Sequence, residues 1–85
     1  MELEKLRAAA RRAAKGKAEV ALADDGVIIV ELEGPYDPSH GVYDDAESVR
    51  KELERALGAK VRLADIKELG PMHYLVKYLI HQEPR

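Results

Sequence analysis

The sequence predicts an α+β domain: a two-layer α/β sandwich with elements in the order α-β-β-α-β-β, a four-stranded mixed sheet, and two helices on one face. Three observations carry this expectation. Two stretches with helical apolar periodicity each precede a pair of strand-like stretches. Each strand pair is joined by a short turn containing glycine. At 85 residues the chain has room for one core, so residues 1–85 are taken as a single domain.

The elements follow in order. Residues 2–15 read as a helix, with Leu3, Leu6, Ala10 and Ala13 on one stripe and Gly16 as the stop. Residues 17–23 and 27–33 read as a β-hairpin. A two-residue turn at Asp25-Gly26 would set Val20 against Glu31. A three-residue turn, Asp24-Asp25-Gly26, sets Val20 against Val30, Leu22 against Ile28 and Ala18 against Leu32, and is preferred. The other face of this hairpin then carries Ala21, Ala23, Val27 and Ile29, which is unusually apolar for a solvated surface.

Residues 44–57 read as the second helix. Asp44 is the expected N-cap, Glu47 completes a capping-box pair, and Gly58 ends it. Its buried stripe is expected at Ala46, Val49, Leu53, Ala56 and Leu57. Residues 60–69 and 73–82 read as a second hairpin turning at Gly70-Pro71-Met72. Two registers fit equally: one pairs Val61 with Ile80 and Leu63 with Tyr78, the other Asp65 with Lys77 and Ile66 with Val76. Because a helix connects strands two and three, these are expected to run parallel, which makes the sheet mixed. Whether strand three lies beside strand two or strand one is left open.

Composition narrows the chemistry. There is no cysteine, which excludes disulfides, thiolate metal sites and cysteine nucleophiles. No apolar run approaches the roughly 20 residues of a membrane span, and the N-terminal stretch is a charged helix rather than a signal peptide, so a soluble, cytoplasmic chain without a membrane partner is expected. Cys, Asn, Thr, Phe and Trp are all absent. Such a bias fits a thermostable protein that avoids labile residues, or a designed or engineered chain with strong helix formers and a densely charged surface. The second origin is preferred, although the irregular loop at 34–43 argues against it, since idealised designs use short connections.

The net charge of −2 hides a segregation. Residues 1–17 carry six basic and two acidic side chains, residues 18–48 nine acidic and no Lys or Arg, and residues 49–85 eight basic and five acidic. A basic helix near an acidic hairpin accounts for this. The same helix offers Arg7, Arg11, Arg12 and Lys15 to an acidic partner such as nucleic acid.

The segment Gly34–Tyr43 is the one long irregular stretch, and loops of that length in small domains often carry function. If strands two and three both end at one sheet edge, Tyr36, Asp37, His40 and Tyr43 converge there with Met72 and His73. Asp37, His40 and His73 are suitable metal-ligand types, but Asp-x-x-His spacing is unspecific and no metal is assigned. His81 lies about 26 Å along the strand from His73 and cannot join them. Ser39 beside His40 lacks the geometry of a nucleophile and its base. The acidic residues Asp44, Asp45 and Glu47 would repel phosphate from the second helix's N-terminus. Tyr74 and Tyr78 share a strand face and could stack bases, though such tyrosines are more often core residues.

Two partial resemblances remain. Val42 with Asp44-Asp45-Ala46-Glu47-Ser48-Val49-Arg50-Lys51-Glu52-Leu53 resembles the segment entering the second helix of the N-terminal domain of bacterial ribosome maturation factor. That resemblance implies binding to ribosomal subunits and carries no site residue with it. The order helix, hairpin, loop, helix is similar to iron–sulfur scaffold domains of the NifU C-terminal type, whose cluster-holding cysteines would fall in the loop at 36–43; with none here, that function is excluded. The resulting expectation is a non-enzymatic scaffold or self-associating module without a cofactor, forming a homodimer through Ala21, Val27, Ile29, Leu75 and Leu79. The alternatives are an RNA- or ribosome-associated domain, and a metal or small-ligand site at the 34–43 loop.

Overall fold

The computed structural model describes residues 3–14, 17–35 and 41–81. Its elements are α1 (Leu3–Ala13), β1 (Lys17–Asp24), β2 (Val27–Glu33), α2 (Gly41–Leu57), β3 (Val61–Gly70) and β4 (His73–Ile80). The strand order is β1-β2-β4-β3, and every neighbouring pair is antiparallel. The expected mixed sheet is therefore corrected. Strands β2 and β3 do point the same way, as the helical crossover requires, but β4 inserts between them.

The core lies between the sheet and the two helices. Leu6, Ala9 and Ala10 of α1 and Val42, Ala46, Val49 and Leu53 of α2 close over Ala18, Val20, Ile28, Val30, Leu32, Val61, Val76 and Tyr78 of the sheet. The alanines let α1 lie close against α2, with β1 beneath it. Tyr78 is fully buried, and its hydroxyl donates to the Ala46 carbonyl at 2.7 Å, tying β4 to α2. It belongs to the core rather than to a stacking surface.

Both hairpins resolve their sequence ambiguity through bulges. In β1–β2 the tip is a two-residue turn at Asp25-Gly26, both with positive φ (46° and 82°), the conformation that Asp-Gly favours. Deeper in, Val20 pairs Val30 and Ala18 pairs Leu32, as the side-chain pattern demands. The two are reconciled by one extra residue, Ala21, between Val20 and Leu22. The bulge corrects the predicted faces: Leu22 pairs Ile29 rather than Ile28 and turns away from the helices, while Ala23 packs against the core. In β3–β4, Val61 pairs Ile80 and Leu63 pairs Tyr78. A bulge at Ala64 follows, and then Asp65 pairs Lys77 and Ile66 pairs Val76. Both candidate registers are present, one on each side of the bulge.

Helix α2 begins at Gly41, three residues before the expected N-cap. Asp44 is thus inside the first turn, where its charge opposes the positive end of the helix dipole, and is not the cap. Asp45, the next residue, is buried. Gly58, with φ of 66°, ends α2 as expected.

Candidate functional site: the open face of the sheet

The sheet face turned away from the helices follows from the alternation of the strands. Along β2, Ile28, Val30 and Leu32 are buried in the core, so Val27, Ile29, Glu31 and Glu33 project to the other side. Across the ladder they meet Leu79, Lys77, Leu75 and His73 of β4 in that order. The outer strands complete four rows. Asp24, Val27, Leu79 and Arg62 form the first row. Leu22, Ile29, Lys77 and Asp65 form the second. Glu19, Glu31, Leu75 and Lys67 form the third, and Lys17, Glu33, His73 and Gly70 the fourth.

The result is an apolar centre with a charged border. Leu22 is 45% exposed, while Val27, Ile29, Leu75 and Leu79 are half-buried. Of the residues expected to mediate association, Val27, Ile29, Leu75 and Leu79 come together on this face. Ala21 is the exposed bulge residue beside it. Leu22 was missed, because only the bulge turns it outward; two registers that each fit half a hairpin were the available signal.

The charges on this face are divided between its two halves. The β1–β2 half carries Glu19, Asp24, Glu31 and Glu33 with one cation, Lys17; the β3–β4 half carries Arg62, Lys67 and Lys77 with one carboxylate, Asp65. Glu19 also reaches around the sheet edge to Arg11 at 2.6 Å, so part of its charge is already opposed. His73 Nε2 stands 3.4 Å from Glu31 Oε1, a pair that is ionic only when the ring is protonated.

The loop candidates are only partly placed. Tyr36, Asp37 and His40 lie outside the described residues, as does Lys15 of the basic set. Tyr43 belongs to the first turn of α2 and is 60% exposed. At the start of that loop the Gly34 amide donates to the Met72 carbonyl at 2.7 Å. Met72 itself has φ of 59°, an uncommon conformation for a side-chain-bearing residue.

The basic helix is less free than its sequence implies. Arg7 faces Glu4 at 3.2 Å, Arg11 faces Glu19 at 2.6 Å, and Arg12 faces Glu52 at 3.7 Å. A broad groove beside β3 is lined by Arg50, Glu54, Lys60, Arg62 and His81. Its central arginine is occupied: Arg50 bonds Glu47 and Glu54 and reaches the Val61 carbonyl, while Glu54 accepts from the Val61 amide at 2.8 Å. That groove is the outer surface of a structural latch on the first residue of an edge strand.

Comparison with protein-family models, with curated proteins and with solved structures gave no match to this chain. The resemblance to ribosome maturation factor accordingly rests on the α2 segment and on the order helix, hairpin, helix. Among the described residues, no helix is long and apolar enough to cross a membrane.

Proposed function

We propose that this chain is a self-associating interaction module, non-enzymatic in itself, whose working surface is the open face of the sheet and whose occupant is a second copy. The observation that carries the reading is the continuity of Leu22, Val27, Ile29, Leu75 and Leu79 across β1, β2 and β4 on the face turned away from α1 and α2. Contiguous apolar patches of this kind mark interaction sites when they are rimmed by polar groups. The pairing of Arg7, Arg11 and Arg12 with carboxylates favours this reading over a nucleic-acid surface on α1. A designed or thermostable origin would suit such a module and rests on composition alone.

The size of the face sets the strength. Four strands at about 4.8 Å, by the seven residues of β2 at about 3.4 Å each, give a footprint of roughly 450 Å2 per copy. Stable complexes bury about 800 Å2 per partner, so the association belongs at the weak, reversible end. Analytical ultracentrifugation across a wide concentration range tests this. The wild type is expected to pass from about 9.5 kDa towards twice that mass. Ile29→Lys and Leu75→Lys are each expected to hold it at the lower mass, with an unchanged far-ultraviolet spectrum and melting curve at dilution. A wild type that stays monomeric at the highest soluble concentration, or variants that still dimerise, would overturn the reading.

A further inference from the structure

The groove between α2 and the edge strand β3 is lined by more charge than its latch uses. Beside Glu47, Arg50 and Glu54 it holds Lys60, Arg62 and His81, and its volume of about 710 Å3 falls within the roughly 300–1,000 Å3 of small-molecule sites. We propose that this groove binds a nucleoside monophosphate, its phosphate held by Lys60, Arg62 and His81 and its base laid on Tyr43. The site lies apart from the apolar residues of the open face and does not rest on self-association.

Strand alternation fixes the cationic end. The His81 amide donates to the Lys60 carbonyl at 2.8 Å, and Arg62 pairs with Leu79. Lys60, Arg62 and His81 therefore project from the same side of the β3–β4 ladder and share one end of the groove. Arg7, Arg11, Arg12, Arg50 and Arg55 each face a glutamate, so Arg62 is the one arginine among the described residues that meets no carboxylate. The carboxylates of the groove are already engaged. Arg50 Nε bonds both oxygens of Glu47 at 3.1 Å, and Glu54 is held by Arg50 Nη1 and the Val61 amide. Set against Arg50, Lys60 and Arg62, they leave the groove cationic even with His81 neutral. A guanidinium, an ammonium and an imidazole converging on one place are donors suited to a phosphate group.

Helical spacing fixes the other end. Tyr43, Glu47, Arg50 and Glu54 follow one another at helical spacing and form one stripe along α2. Tyr43 lines a second hollow with Leu63, Ala64, Asp65 and Ile66, and Leu63 is common to both hollows, so the two run in line along β3. Tyr43 is the most exposed large apolar side chain among the described residues. An open tyrosine ring is a stacking platform for a base. About 7 Å of strand separates Arg62 from Ala64, which leaves room for a sugar between phosphate and base. Asp65 sets the orientation, because its carboxylate repels phosphate from the tyrosine end and accepts from ribose hydroxyls. The bulge at Ala64 lies between the two ends, and bulges recur beside active sites.

NMR titration of the dilute protein with adenosine monophosphate, inorganic phosphate and adenosine tests the site. Adenosine monophosphate is expected to move the His81 ring, Arg62 Nε and Tyr43 ring signals along one saturating curve. It is expected to bind at least about tenfold more tightly than phosphate or adenosine alone, because each half holds the other in place. Lys60→Ala/Arg62→Ala is expected to weaken it by about tenfold or more, and Tyr43→Ala by about tenfold. These side chains are exposed and take no part in the latch, so the Val61 amide signal and the melting curve are expected to stay as in wild type. Nucleotide binding no tighter than phosphate binding, with Tyr43 unmoved, would overturn the nucleotide as occupant. So would a single-stranded oligoribonucleotide that binds the same residues more tightly than the free nucleotide. Shifts that never saturate, or that both variants leave unchanged, would overturn the site itself.

Discussion

The latch between α2 and the start of β3 gives the most direct energetic test. Val61 opens an edge strand, and its amide and carbonyl are met by side chains. Glu54 accepts from the amide at 2.8 Å, and Arg50 donates to the carbonyl at 3.3 Å. Glu54 and Arg50 are held together at 3.1 Å, and Glu47 holds Arg50 from the other side. A hydrogen bond to a charged group contributes about 1.5–3 kcal/mol, and truncating it leaves an amide without its partner. The Glu54 side chain is 30% exposed, so water can replace part of the lost bond and the low end applies. Glu54→Ala should therefore cost about 1–1.5 kcal/mol, or roughly 5–10 °C in Tm for a domain of this size. Glu54→Gln keeps an acceptor without the charge and should cost about half as much. Urea and thermal unfolding measure the totals, and hydrogen exchange reads the cause, since the Val61 amide should lose protection in Glu54→Ala before its ladder neighbours do. Unchanged Val61 protection with stability within about 0.3 kcal/mol of wild type would refute the latch.

Two further substitutions separate core from surface. Tyr78→Phe removes only the buried hydroxyl that donates to the Ala46 carbonyl and should cost about 1 kcal/mol by chemical denaturation, without a change in the dimer constant. Lys77→Leu removes the one cation from the apolar centre of the open face. It should tighten self-association by about tenfold in ultracentrifugation, with little effect on the stability of the dilute monomer; weaker association would show that the ammonium makes a favourable contact across the interface.

Element identity and order were legible in the sequence because each element carries its own signal. Helical stripes at Leu6, Ala10, Ala46, Val49 and Leu53, the Asp25-Gly26 turn and the Gly58 stop are all local. Two features were not local. The insertion of β4 between β2 and β3 depends on which strand edges meet, and no pattern within a single strand records that choice. The start of α2 was placed at Asp44 because a carboxylate followed three residues later by Glu47 resembles a cap. The helix instead extends back to Gly41, and Val42 joins the core. Of the candidate site, the apolar residues on β2 and β4 were found by alternation. The division of charge across the face emerged only with the strand order, which places most of its carboxylates on β1 and β2 and most of its cations on β3 and β4.

The bulges connect this structure to the choice of interaction surface. A four-stranded sheet offers two ways to associate: through its edges, by continuing the ladder, or through its open face. Here both edges are obstructed. The outer strand β1 is bulged at Ala21, and its Glu19 is engaged with Arg11. The outer strand β3 is interrupted at Ala64 and again at Leu69, carries Arg62, Asp65, Lys67 and Glu68, and has the outward polar groups of Val61 taken by α2. Interrupted, charged edges of this kind resist strand-to-strand pairing. The same insertion at Ala21 that breaks the β1 edge rotates Leu22 onto the open face beside Ile29. One extra residue thus disfavours extension of the sheet and enlarges the apolar surface through which two sheets can close on each other.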